Sequence, residues 1–268
     1  MIVSVITVTL NSERHLEEAM ESVLAQEWPE LDYVIVDGGS TDGTLAIVRR
    51  LAEGDPRIRW ISEPDRGISD AFNKGIALAR GELIGILNSD DTYAAGALRA
   101  VAEAFAANPE CDVFHGDMAR FEGDRELFVL KPAGPGPATW HEMPLNHPAT
   151  FVTRRAYDDV GTFDLGLRVA MDYDLVLRLY RHGCRFHYLP QVLAGMRYGG
   201  ASDERLLAVA REVYAASVRL GYPRWRAGFW SGVRVGKGVV KRILRRLGLH
   251  GVMRLHPRFH GAGTKEGN

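Results

Sequence analysis

Cysteine is scarce: Cys111 and Cys184 are the only two in 268 residues, too few for a disulfide framework and without the paired spacing of a zinc site. A reducing compartment is therefore expected. No run of about 18 consecutive apolar residues occurs, which excludes a bilayer-crossing helix of ordinary hydrophobicity. The chain passes from Met1 directly into the alternating Val3, Val5, Thr7 and Thr9. It lacks the basic start, apolar core and cleavage site of a signal peptide, so export is not expected. No G-x-G-x-x-G fingerprint follows the first apolar run, which disfavours a dinucleotide-binding dehydrogenase. Acid is missing from one whole region, since no Asp or Glu lies between Val213 and Lys265.

What is present is the balance of one or two compact domains, with 46% hydrophobic and 25% charged residues. The net charge of -1 conceals an asymmetry. Residues 1–212 carry 21 basic and 33 acidic side chains, 21 - 33 = -12, and residues 213–268 carry 12 basic and 1 acidic, 12 - 1 = +11. A one-sign tail on an acidic domain usually meets a polyanion or an anionic membrane. The expected division is a catalytic unit over 1–212, with halves at 1–110 and 111–212, and a separate tail over 213–268.

Along the first 110 residues, short β-rich runs alternate with helical patterns, the signal of βαβ units around a parallel sheet. Strands are expected at 2–9, 33–36, 59–61 and 83–87, and helices from a cap at Asn11 or Ser12 to near Gln26, from Thr44, and over 69–79. The run 83–87 is wholly apolar, as a central strand buried on both faces is. A helix near 95–107, a short strand at 113–115 and a helix over 172–182 follow. Residues 131–148, with five prolines and two glycines, read as a mobile loop.

Ligands of open α/β sheets bind beyond the carboxyl ends of the strands, where Asp37 and the cluster Asn88, Ser89, Asp90 and Asp91 both fall. Two adjacent carboxylates repel unless a cation or a hydrogen-bond network offsets the repulsion. Asp90 and Asp91 are thus either a site for an oxygen-loving divalent metal or a pair of solvated turn residues. Asp37 with Gly38 and Gly39 reads equally as a ligand approach or as a turn.

Taken in order, the segments 5–11 (VITVTLN), 34–43 (VIVDGGSTDG), 61–75 (ISEPDRGISDAFNKG) and 81–91 (GELIGILNSDD) resemble the family 2 glycosyltransferases with the GT-A fold, of the type that builds bacterial O-antigen, capsule and exopolysaccharide. The resemblance continues through 147–151 (HPATF), 160–164 (VGTFD), 171–178 (MDYDLVLR) and 196–202 (MRYGGAS), covering roughly residues 1–205. It implies an α/β fold with a central, mostly parallel sheet flanked by helices, and inverting transfer of a sugar from a nucleotide-diphosphate donor, UDP-linked, to a lipid-linked glycan. By the same resemblance Asp37 bonds the base, Thr9 and Asn11 cradle the nucleotide, Asp90 lies near the ribose, and Asp91 holds Mn2+ or Mg2+ on the diphosphate. Asp172 is the expected catalytic base. Arg66 is a candidate for the diphosphate, and Trp140 and His147 for the acceptor. Three positions depart from the pattern: Leu10 replaces a base-stacking tyrosine, Asn88 the first acidic residue of its motif, and Met171 the glutamate before the catalytic aspartate.

A sugar nucleotidyltransferase would carry a glycine- and basic-rich phosphate loop after the first strand, and Val8, Thr9, Leu10 and Asn11 are not that. A non-catalytic nucleotide- or sugar-binding module is the remaining alternative. In the tail, Val239, Val240, Ile243, Leu244 and Leu247 share an arc of about 140° at helical spacing, with Lys241, Arg242, Arg245 and Arg246 on the other side. This basic amphipathic helix suits the headgroup plane of an anionic leaflet, giving a peripheral location on the cytoplasmic face, or else packs on the catalytic unit. No nucleic-acid-binding motif accompanies the charge.

Overall fold

A computed structural model describes residues 1–123, 125–197, 206–246 and 259–261. The elements run β1 (Val3–Thr9), α1 (Leu16–Leu24), β2 (Leu31–Asp37), α2 (Thr44–Gly54), β3 (Ile58–Ser62), α3 (Ile68–Leu78), β4 (Leu83–Ile86), β5 (Thr92–Tyr93), α4 (Ala97–Ala107), β6 (Val113–Glu122) and β7 (Arg125–Leu130). Two 3-10 turns, Pro137–Trp140 and His147–Ala149, precede β8 (Thr150–Thr153), α5 (Arg154–Val160), α6 (Met171–His182), β9 (Phe186–Arg197), α7 (Leu206–Arg219), α8 (Arg224–Arg246) and β10 (Phe259–Gly261).

In the first half β4, β1, β2 and β3 lie side by side, all parallel. Every residue of β1 and β2 is buried, because alternate side chains of a sheet covered on both faces enter two different cores. Val5 and Ile35 join Leu16, Met20 and Val48 of α1 and α2 on one face. Ile6 and Val34 join Phe72 and Ile76 of α3 and Leu175 and Val176 of α6 on the other. Gly75 permits the close approach of α3 to β1, since a β-carbon there would lie 2.3 Å from Ile6 Cγ2. The second half adds β8 antiparallel to β4 and β6 antiparallel to β8, and β9 runs parallel to β6.

Four expectations need correction. The strand expected at 113–115 is the ten-residue β6, because its outer part gains partners in β7 and β9 that lie far away in sequence. Residues 131–148 are packed down: Thr139, Leu145 and Asn146 are buried, and Asn146 Nδ2 donates to the carbonyls of Gly116 and Leu130. Helix α1 starts at Leu16 without a side-chain cap, and Asn11 takes the left-handed conformation with φ of 50°.

The fourth concerns the tail, whose expected boundary at 212/213 falls inside α7. That helix is bound to α6 by several contacts. Tyr173 and Ser217 share a hydroxyl hydrogen bond of 2.9 Å. Glu212 accepts the backbone N–H groups of Arg168, Val169 and Ala170 at 2.9–3.2 Å. The fully buried Asp174 carboxylate lies between Arg178 at 2.9 Å and Arg219 at 2.6 Å. Removing one partner of a buried ion cluster leaves uncompensated charge. Asp174→Ala is therefore expected to lose roughly 3 kcal/mol of stability, measured by chemical denaturation; an unchanged midpoint would refute the clamp. Leu247 lies outside the described residues, as does the part of the last motif from 198 to 202.

Candidate active site

The loops after β1 and β2 form one cross-linked rim. Asp37, fully buried at the end of β2, accepts the N–H groups of Gly39 and Ser40 at 3.0 Å, the Ser62 hydroxyl at 2.7 Å and the Ser40 hydroxyl. The resemblance assigned it to a base, and its side chain here also organises the turn, which Gly39 enters with φ of 91°. Asn11 Oδ1 accepts the Thr41 N–H at 2.9 Å, and its own N–H donates to Ser40 Oγ at 2.8 Å. Asn11 thus ties the β1 loop to the β2 loop. Leu10 is 55% exposed on this rim, beside the backbone of Gly38.

Beyond β4 the acidic pair is divided by burial, which its adjacency in sequence does not reveal. Asp90 is exposed and faces a cleft lined by Glu18, Thr92, Phe121 and Arg197. Asp91 is 1% exposed, accepts Asn88 Nδ2 at 3.0 Å and receives the backbone N–H of Arg197 from β9. Burial, reinforced by the neighbouring Asp90 charge, pushes the Asp91 carboxyl up to about 7. The folded state therefore holds that proton more tightly than the unfolded chain, and stability present at low pH is lost as pH rises from the ordinary carboxylate range through about 7. Without divalent cation, the melting temperature is expected to fall between about pH 4 and pH 7, and less so in Asp91→Asn. Equal slopes in the two proteins would refute this.

Two buried oxygens at the strand ends, Thr9 Oγ1 and Asn88 Oδ1, find no partner among the described residues. Buried polar atoms are normally hydrogen-bonded, so this pair stands out as unused acceptor capacity at the strand ends. Ser89 Oγ donates to Ser12 Oγ at 2.9 Å, which joins the acidic loop to the β1 loop. The donors available to a cation are hard oxygens, as Mg2+ and Mn2+ prefer. Among the described residues no three His, Cys, Asp or Glu side chains converge into a cage. Asp90, Asp91 and Asn88 Oδ1 are the hard-oxygen donors that would hold such an ion.

Asp172 lies in the first turn of α6, a favourable position for negative charge because the helix N-terminus carries positive dipole. The three N–H groups leading into that helix are those held by Glu212, so α7 sets the approach to Asp172. Asp172 lines a cavity with Ile86 of β4, Met143, His147, Thr150 and Phe163. His147 packs its ring 5.7 Å from Phe72, and its buried Nε2 has no partner among the described residues. Burial pushes the His147 pKa down, and the Asp172 charge opposes the shift. The structure thereby brings together Asp172 and His147, which sequence separates by 25 positions.

Two other candidates take different positions. Trp140 stacks on Tyr222 at 5.1 Å and its carbonyl accepts Ser217 Oγ at 2.7 Å. The ring thus ties its loop to the turn after α7. Arg66 is solvated on the rim, 74% exposed and paired with Asp70 at 3.2 Å. Sequence reasoning missed Glu212. A lone acid in a helical pattern carries no signal of the three backbone donors that the fold brings to it.

Comparison with known proteins gives the family. Residues 4–171 match the family described as Glycosyl transferase family 2. The chain belongs to that family. It is 29% identical over 214 residues to the PGL/p-HBAD biosynthesis glycosyltransferase of Mycobacterium tuberculosis, covering 75% of this chain and 78% of the relative. It is 31% identical over 196 residues to the O-antigen biosynthesis protein RfbC of Myxococcus xanthus, covering 72% of this chain but only 15% of that protein. Among solved structures, mannosyltransferase PcManGT from Pyrobaculum calidifontis, in complex with GDP-Man and Mn2+, superposes with a TM-score of 0.64 at 19% identity, over 95% of this chain and 81% of that one. TarS residues 1–349 of S. aureus in complex with UDP-GlcNAc gives 0.63 at 20% identity, over 88% and 72%. The fold of this family 2 glycosyltransferase is GT-A.

Proposed function

We propose that this glycosyltransferase moves a sugar from a UDP-linked donor to a lipid-linked glycan at the cytoplasmic face of a membrane, inverting the anomeric carbon, as a step in cell-surface polysaccharide synthesis. The observation that carries the reading is the pair of unpartnered buried oxygens, Thr9 Oγ1 and Asn88 Oδ1, beside the acidic pair at the carboxyl ends of β1 and β4. Relatives named for PGL/p-HBAD and O-antigen biosynthesis support a glycan acceptor of the cell-surface type. TarS, bound to UDP-GlcNAc, and PcManGT, bound to GDP-Man and Mn2+, support the donor class and a divalent cation.

In this reading the base lies on the rim built by Asp37, Asn11 and Leu10, where the exposed Leu10 offers apolar surface in place of an aromatic ring. Thr9 and Asn88 bond the nucleotide, and Asp90 and Asp91 hold the cation. A bound divalent cation supplies Lewis-acid neutralisation of the diphosphate leaving group. Asp172 takes the proton from the attacking hydroxyl, and His147, whose pKa burial lowers, orients that hydroxyl. The developing bond to the anomeric carbon forms opposite the departing diphosphate, so no covalent sugar–enzyme intermediate arises.

The test is a thermal-shift screen of nucleoside diphosphates and their sugars, with and without Mn2+ or Mg2+, because a ligand that binds only the native state raises stability by mass action. UDP with cation is expected to give the largest shift. A larger shift with GDP or dTDP would reassign the base, and no shift with any nucleotide would overturn the reading.

A further inference from the structure

Helix α8 has two faces of opposite character. Its inner face is packed: Ala227 is 4% exposed, the Trp230 ring stacks on His141 at 3.9 Å, and Ser231 Oγ donates to the Ala210 carbonyl at 3.3 Å. Arg234 donates to the His141 carbonyl, and Gly238 admits Leu206, which would lie 2.3 Å from a β-carbon there. At about 100° per residue these positions fall within one arc of about 100°. This face of α8 is therefore packed on the rest of the protein over residues 227–238.

The opposite face is uncovered and apolar. Trp225 is 72% exposed, Phe229 62%, Val239 45% and Val240 55%. Gly228, Gly232 and Gly236 fall on the same side with open space where a side chain would stand. No charged residue lies on this strip among residues 225–240. Arg224, Arg226 and Lys237 flank it, all exposed, and the Arg226 guanidinium sits 5.1 Å from the Trp225 ring centroid. Helix α8 contains no acidic residue, and no helix among the described residues is long and apolar enough to cross a membrane.

We propose that the strip Trp225, Phe229, Val239 and Val240 is an interfacial anchor that seats α8 in the headgroup plane of an anionic leaflet. The proposal deepens the reading of the acceptor as lipid-borne and rests on it for its purpose. An apolar, aromatic strip between basic flanks matches both zones of such a surface, with acyl boundary below and phosphate above. Tryptophan suits that boundary because its ring is apolar and its N–H polar. A symmetric dimer through the same strip would set Arg224, Arg226 and Lys237 of each copy against those of the other, so like charges disfavour it.

The experiment is flotation of the full-length protein with vesicles of phosphatidylcholine alone or with added phosphatidylglycerol, alongside UDP titration with Mn2+ on the same preparations. The expected result is binding to the anionic vesicles, weakened but not abolished by high salt, because screening removes the Coulombic part and leaves apolar insertion. Trp225→Asp combined with Phe229→Asp should lower partitioning by about 10-fold or more with nucleotide binding unchanged. In the wild type, brominated lipid should quench tryptophan emission, and Trp225→Phe should remove much of that quenching, a readout that does not require the double variant to fold. Absence of wild-type binding to anionic vesicles at low salt would overturn the anchor. So would equal binding by the double variant, or a light-scattering mass showing that the variant dissolves a dimer. Loss of nucleotide binding in the wild type would instead strike the enzymatic reading.

Discussion

Asp172→Asn is expected to fold and bind donor as the wild type does, while turnover falls by about 100-fold or more, the scale of losing a placed general base. The substitution removes the acceptor of the proton and keeps the shape, and the Oδ1 that accepts the Tyr173 N–H at 2.7 Å is retained. A hydroxyl in the cavity lined by Asp172, His147 and Thr150 would then keep its seat but not its base. Steady-state rates on a lipid-linked acceptor, with donor affinity measured separately, check this. Turnover near wild type would move the role to His147, the other proton acceptor in the cavity. Asp174 is unsuited to it, being fully buried and held by Arg178 and Arg219.

The second large effect is expected at the acidic pair. A cation on the diphosphate is worth several kcal/mol of charge stabilisation in the transition state, so chelation or loss of its ligands should lower turnover by about 10³-fold or more. The two carboxylates should differ in how they fail. Asp90→Ala removes an exposed side chain with no hydrogen bond to the protein among the described residues, and is expected to abolish Mn2+-dependent nucleotide binding at unchanged stability. Asp91→Ala should lose the same metal dependence and also stability, because Asn88 and the Arg197 N–H would be left facing a cavity. Calorimetric titration of UDP with and without Mn2+, together with thermal melts, separates the cases. Metal-dependent affinity that survives in both variants would refute the assignment.

Much of this was legible in one dimension. The parallel half, β1 to β4, follows from apolar runs punctuated by glycine and acid, since a strand covered on both faces must be apolar throughout and can end only where polar residues begin. The same rule placed Asp37 and the Asn88 to Asp91 cluster at strand ends, and a basic tail without acids pointed to a helix of unusual surface. Tertiary structure alone decided how these residues are used. Asp91 is buried and Asp90 exposed because β9 arrives about a hundred residues later and lays the Arg197 backbone over one of two adjacent carboxylates. Trp140 is held by the Tyr222 ring stacked on it, and α7 is fixed against α6 and the loop before it by Glu212, Ser217 and Arg219. Local pattern reports what a segment buries, since burial follows composition and period. Which neighbour covers a given carboxylate or ring depends on contacts between segments far apart in the chain, and those no local pattern contains.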